Sequence, residues 1–177
     1  ARLSGIIGRG ASSVGQGGGD FARLMALPGD LDPRIKELAQ TITRDCSNDA
    51  ERVAAVVQYL TSNYEYDLEA GPANAKEPVS AFLFDVRKGH CEFFAASAAV
   101  LLRCAGVPSR YVTGFVADEQ NAYGGYWVAR NKDAHAWAEA HVDGRGWRLV
   151  EATPSSGVPT GQTSYLAQLW DYVKYMP

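Results

Sequence analysis

The stretch from Glu92 to Ala105 limits this chain's architecture more than any other. It is apolar on nearly every face, broken only by Glu92, Ser97 and Arg103. A helix without a polar side must lie in the middle of a fold, with other elements packed around it. Ala95, Ala96, Ser97, Ala98 and Ala99 let those neighbours approach closely. Gly106 suits the left-handed position just past a helix end, and Pro108 enforces the stop. The run falls short of the roughly 20 apolar residues that span a bilayer.

The flanking segments supply what must surround such a helix. On the N-terminal side, Asp32 caps a helix with Pro33 at its first position, predicted to run to about Asp45. Ser47 or Asn48 caps the next, whose Val53, Val56, Val57 and Leu60 share one face at i, i+3, i+4 and i+7. Pro78 opens a short helix holding Ala81, Phe82, Leu83 and Phe84, broken by Lys88 and Gly89. On the C-terminal side the pattern turns β-branched and aromatic. Residues 110–116 and 126–129 read as strands, with a polar, Gly-bearing loop over 117–125 between them. Residues 134–142 alternate His135, Trp137, Glu139 and His141 on one face with Ala136, Ala138 and Ala140 on the other. Asp143, Gly144, Arg145 and Gly146 turn a hairpin into a returning strand over 147–151. A helix closes the chain between Tyr165 and Tyr175. Helices first and an antiparallel meander second make an α+β fold, with the buried central helix packed on the sheet.

Residues 1–26 form a Gly-rich arm, expected to be flexible, and 27–177 a single domain large enough to bury a core. The chain begins at Ala1 without a signal peptide, as an excised or processed piece would. Its net charge of −3 does not suggest nucleic-acid binding. Three cysteines make no disulfide framework, and no Cys or His cluster has zinc-ligand spacing. No cofactor or metal is expected.

Chemistry concentrates at Cys91, where a Gly-containing turn runs into the central helix. A thiol at a helix start meets the positive end of the macrodipole and unpaired backbone N–H groups, which favour the nucleophilic thiolate. Cys104, inside the helix, reads as a small buried hydrophobe, and Cys46 as incidental. Downstream, His135 can act as base, and Glu151 ends the strand that returns beside it. Neighbours on one face of an antiparallel pair can hydrogen-bond, so Glu151 can orient the imidazole. Rival groups remain open: Glu139 and Asp133 as acids, and His141 near the hairpin tip. His90, Trp137 and Tyr66 are candidates to line a substrate cleft. Cys91, His135 and Glu151 as a zinc site would give only three mixed ligands, which argues against that reading.

The segments Gly89–Ala95, Leu101–Phe115, His135–Glu139, Gly146–Trp147 and Glu151–Pro154, with Tyr64–Tyr66 and 78–84 upstream, resemble the transglutaminase-like superfamily. The likeness covers roughly residues 30–155, and the order and spacing of the motifs carry it more than any one of them. The resemblance implies a papain-like fold and a Cys-His-Asp triad, carried here by Cys91 as nucleophile, His135 as base and acid, and Glu151 as orienting carboxylate. Glu151 stands where the family usually has aspartate. The leading expectation is cysteine-dependent acyl transfer on a protein or peptide amide through a thioester, resolved by an amine (transglutamination) or by water (hydrolysis). The alternative is a silent binding or scaffold domain with the same fold. The resemblance is nearest to bacterial domains carried by inner-membrane proteins and facing the periplasm. This implies an extracytoplasmic domain tethered to the membrane by segments outside this chain.

Overall fold

A computed structural model of the chain describes residues 6–7, 18–160 and 164–175. Of the predicted arm, residues 1–5 and 8–17 lie outside the described residues, while Gly18–Met25 forms helix α1. Helix α2 covers Pro33–Ile42. Asp32 caps it as expected, its carboxylate accepting the Arg34 N–H at 2.9 Å. The helix stops three residues short of Asp45. Helix α3 covers Asp49–Asn63, with Asn48 at the N-cap rather than Ser47. Here the capping is reciprocal: Asn48 Oδ1 accepts the Glu51 N–H at 3.0 Å, and the Glu51 carboxylate accepts the Ser47 N–H at 2.6 Å.

Between α3 and the central helix lies structure that no periodicity signals. Strand β2 (Glu65–Tyr66) pairs in parallel with β3 (Lys88–Gly89), Tyr66 standing opposite Gly89. Helix α4 (Pro78–Ala81) continues into a π-helical turn over Phe82–Val86. Arg87 ends it in the left-handed conformation, at φ 56°. Helix α5 (Cys91–Cys104) is the predicted buried helix, with Phe94, Ala98, Leu101 and Leu102 fully enclosed. Its end is a Schellman motif: Gly106 at φ 84° donates to Arg103 O, and Val107 donates to Leu102 O at 2.9 Å.

The strands that follow are β4 (Ser109–Val116), β5 (Glu119–Gln120), β6 (Trp127–Val128), β7 (Ala134–Val142) and β8 (Gly146–Val150). With β1 (Ile6–Ile7) they make a sheet ordered β1-β4-β7-β8, while β5 and β6 pair separately. The expected meander is therefore corrected at its second strand: β6 leaves the sheet, and β7 takes the place beside β4. The predicted loop over 117–125 contributes β5 to that separate ribbon. Its turn closes on buried Asn121, whose Oδ1 accepts the Tyr123 and Gly124 N–H groups at 3.0 and 2.9 Å.

Contacts divide the described residues into two units, with β4 and β7 passing through both. The larger holds residues 18–112 and 136–158. Its core gathers Ile35, Val56, Leu60, Phe82, Leu83, Phe94, Leu101, Leu102 and Val150 around α5. The smaller holds 113–135, β1 and the chain from Pro159, including α6 (Tyr165–Tyr175). Helix α6 docks through polar groups. Asn121 donates to Gln168 O at 2.8 Å, and Arg130 pairs with both Glu119 and Asp171. Leu166, Leu169, Trp170 and Val173 on the same helix are exposed.

Candidate active site

Cys91 is a half-buried free thiol and the first residue of α5. His90 occupies the N-cap with extended backbone (φ −91°, ψ 178°), and its side chain makes no capping hydrogen bond. Only the Phe93 N–H turns back, donating to His90 O at 3.0 Å. Helix starts are usually closed by Ser, Thr, Asp or Asn. An uncapped start leaves the positive pole of a buried helix for a bound group's negative charge.

The approach to Cys91 is rigidly built within the larger unit. The β2–β3 ladder is extended by Glu65 N–H to Arg87 O and Asp67 N–H to Gly89 O, both at 3.0 Å. Phe93 packs under this segment. A Cβ on Gly89 would fall 2.7 Å from the Phe93 ring, and one on Gly71 would fall 2.3 Å from it. Gly89 lets backbone lie on that ring, and Gly71 does so in a conformation, φ 143°, that itself favours glycine. The His90 imidazole also rests against Phe93, 4.7 Å between centroids.

Two phenols feel the Cys91 sulfur. Burial pushes the Tyr66 hydroxyl up in pKa, and the negative charge of Cys91 adds to the shift. Tyr111 is pushed up to about 12, first by burial, then by Glu92 and Cys91. Both tyrosines therefore stay neutral beside the thiol across ordinary pH. Tyr66 was a cleft candidate in the sequence, whereas Tyr111, in β4, was not singled out there.

Glu151 follows the last residue of β8. One carboxylate oxygen accepts the Thr153 N–H at 2.9 Å, a local turn that holds the side chain. The β7–β8 register pairs Ala138 with Val150. Continued by one residue it sets Trp137 against Glu151, on the same face of the sheet. Trp137 is only 1% exposed, an interior wall rather than a platform open to solvent.

His135 is the second residue of β7 and belongs to the smaller unit, where it is buried. The turn leading to it is fixed by buried Asp133, whose carboxylate accepts the Arg130 N–H at 2.8 Å. Asp133, a rival acid in the sequence, thus serves as a cap. Glu139 is engaged elsewhere, bridging Arg110 at 2.6 Å while that guanidinium lies 4.2 Å over the Trp147 ring. His141, the rival histidine near the hairpin tip, is partly buried. Its ring packs edge-on against Phe21 and Trp147.

A polar groove of about 370 Å³, lined among others by Asp49, Arg52, Asp143 and Arg145, opens beside the start of α3 and includes none of the candidate residues. Among the described residues, no group of three or more His, Cys, Asp or Glu side chains is placed to hold a metal. No helix among them is long and apolar enough to cross a membrane.

Comparison with known proteins places the family and the fold. The family model described as the transglutaminase-like superfamily matches residues 36–152. YebA of Bacillus subtilis is 36% identical over 149 residues, covering 80% of this chain and 20% of that protein. A Pseudomonas aeruginosa protein named protein-glutamine gamma-glutamyltransferase is 36% identical over 132 residues, covering 74% of this chain and 20% of its own length. The chain thus spans about one fifth of these relatives. Among solved structures, the periplasmic domain of TgpA from Pseudomonas aeruginosa, bound to ethylmercury, superposes with a TM-score of 0.68 at 35% identity. That match covers 75% of this chain and 48% of the other. With the family model spanning α2 to the end of β8 and the α+β architecture in common, this chain is a member of the transglutaminase-like superfamily, with its papain-like fold.

Proposed function

We propose that this chain is a cysteine-dependent acyltransferase domain in which Cys91, His135 and Glu151 form the triad. The observation that carries the reading is a half-buried thiol at the uncapped start of a buried helix, inside the family's matched segment. The engagement of Asp133 and Glu139 in structural bonds supports Glu151 as the orienting acid.

In the proposed reaction the Cys91 thiolate attacks a carboxamide carbon. The carbonyl π electrons move to oxygen, and the oxyanion is held by the Cys91 N–H and the helix pole. On collapse the departing amide nitrogen takes the proton of the His135 imidazolium and leaves as ammonia, with a thioester formed on Sγ. An amine then attacks the thioester carbon, giving its proton to His135. The C–S bond breaks, and an isopeptide product leaves with the thiolate restored. Water in place of the amine gives a carboxylate and the same thiolate. Glu151 holds His135 in one tautomer throughout. Glutamate adds one methylene and more rotamer freedom than aspartate, a cost that its hydrogen bond to the Thr153 N–H offsets.

Amine transfer to a glutaminyl protein or peptide is the preferred version, since a relative carries that name. The similarity to the periplasmic domain of TgpA supports a periplasmic setting, and tethering to a membrane by segments outside this chain belongs to the same proposal.

The test is hydroxamate formation from a blocked glutaminyl-glycine peptide and hydroxylamine, with ammonia release measured alongside. Cys91→Ala is expected to abolish both, while Cys46→Ser leaves them intact. Unchanged turnover in Cys91→Ala would sink the assignment. Absence of turnover in the parent, with Cys91 labelling no faster than Cys46, would favour the silent scaffold.

A further inference from the structure

The Tyr66 ring is held from two directions that are far apart in sequence. Its backbone lies opposite Gly89, two residues before Cys91, through the β2–β3 pairing. Its ring is met by Gly157, in the 3-10 turn Ser155–Gly157 that follows the Glu151 segment. A Cβ on Gly157 would fall 2.1 Å from Tyr66 Cδ2 and 2.3 Å from Cε2. Gly157 is buried and is not among the glycines with positive φ. Its backbone therefore does not require glycine; the ring beneath it does. The turn also lies beyond the segment matched by the family model.

Building on the reading of Cys91 as an acyl-transfer nucleophile, we propose that Tyr66 is the aromatic wall of the acyl-donor subsite and that Gly157 is the positioning residue that sets the angle of its ring. The ligand class is a side chain with an aliphatic stem ending in a primary carboxamide. The stem packs along the ring, and the carboxamide meets the thiol. A phenol kept neutral by burial and by the nearby sulfur suits an apolar wall. Fixing the ring before the donor arrives reduces the ordering cost of binding.

The experiment compares alkylation of Cys91 by small iodoacetamide and by a bulky aromatic maleimide, read by mass spectrometry of the Cys91 peptide. Tyr66→Ala and Gly157→Ala are each expected to change the ratio of the two rates several-fold. Tyr66→Phe, which keeps the ring, holds the parent ratio. Adding Gly157→Ala to Tyr66→Ala produces no further change, because the ring that the new methyl group would strike is gone. With the glutaminyl peptide, Gly157→Ala raises KM several-fold with a smaller effect on kcat.

An unchanged ratio in Tyr66→Ala, or a Gly157→Ala effect that persists without the ring, overturns the proposal. If Gly157→Ala does not fold, the Tyr66→Ala and Tyr66→Phe pair still decides the wall. Alkylation needs no turnover, so a failed acyl-transfer reading and a failed wall give different results.

Discussion

Replacing Phe82 tests how the aromatic cluster supports the start of α5. The ring is fully buried in the π-helical turn. It stacks on Tyr64 at 5.0 Å and on Phe93 at 5.7 Å between centroids, and meets Phe94 edge-on at 5.1 Å. Leucine keeps most of the apolar volume, so Phe82→Leu removes chiefly these three ring pairs. At about 0.5–1.5 kcal/mol each the three sum to about 1.5–4.5 kcal/mol. Leu102→Met, equally buried but a near-isosteric swap, is expected to cost less than about 1.5 kcal/mol. Phe82→Ala adds a cavity and belongs at the upper end of the roughly 3–5 kcal/mol range for such truncations. At about 2–4 °C per kcal/mol for a chain of this size, Phe82→Leu lowers Tm by about 3–18 °C. Urea unfolding followed by circular dichroism measures the stabilities, with m-values checked for constancy. Because Gly89 and Phe93 rest on this cluster, the Cys91 alkylation rate shifts with the substitution. A Phe82→Leu cost no larger than that of Leu102→Met would refute the reasoning, since ring pairing would then add nothing beyond apolar volume.

Two further outcomes concern pH. The Asp32 carboxyl is held well below the usual carboxylate range by hydrogen bonds from Arg34 and Ser80. Its folded pKa is depressed, so its contribution is present above the unfolded value of about 3.9 and is lost as pH falls below it. Acid titration of stability is therefore steeper for the parent than for Asp32→Asn, and parallel curves would contradict this. Tyr111 has the opposite sign. With its pKa pushed up to about 12, the folded state keeps the proton that the unfolded chain releases near pH 10. Stability then declines between about pH 10 and 12, and Tyr111→Phe flattens that decline in alkaline unfolding curves.

Some elements were legible because their determinants lie within a few residues of one another. Asp32 with Pro33, and Asn48 with Glu51, mark helix starts through hydrogen bonds made inside one turn. Gly106 marks the end of α5 for the same reason. Strand β7 matched its predicted bounds because alternation over nine residues is a strong period-two signal. The two-residue strands β2, β3, β5 and β6 carry no such signal, so they passed as turns and loops or, for β6, as a longer strand in the main sheet.

The candidate site divides along the same line. The helix start, the strand positions and the order of the motifs singled out Cys91, His135 and Glu151, because each of these is a local segment. Among the rival acids, sequence left Asp133 and Glu139 open. Asp133 is taken by the Arg130 N–H only three positions away, a local cap, whereas the pairing of Glu139 with Arg110 was decided by tertiary placement. His141 likewise looked like a hairpin-tip polar residue until Phe21 and Trp147 were seen to pack on it.

What the sequence determined by itself was where α2 and α5 start, where α5 stops, that α5 is buried, and which thiol opens it. Capping, periodicity and propensity act between residues within about four positions of each other, so they can be read along the chain. What only the tertiary structure decided was which backbone lies against which ring. Gly71 on Phe93 and Gly157 on Tyr66 are contacts across 22 and 91 positions, each made possible by a missing Cβ. A missing side chain leaves no periodic trace, so these glycines acquire meaning only when the folded chain brings an aromatic ring to meet them.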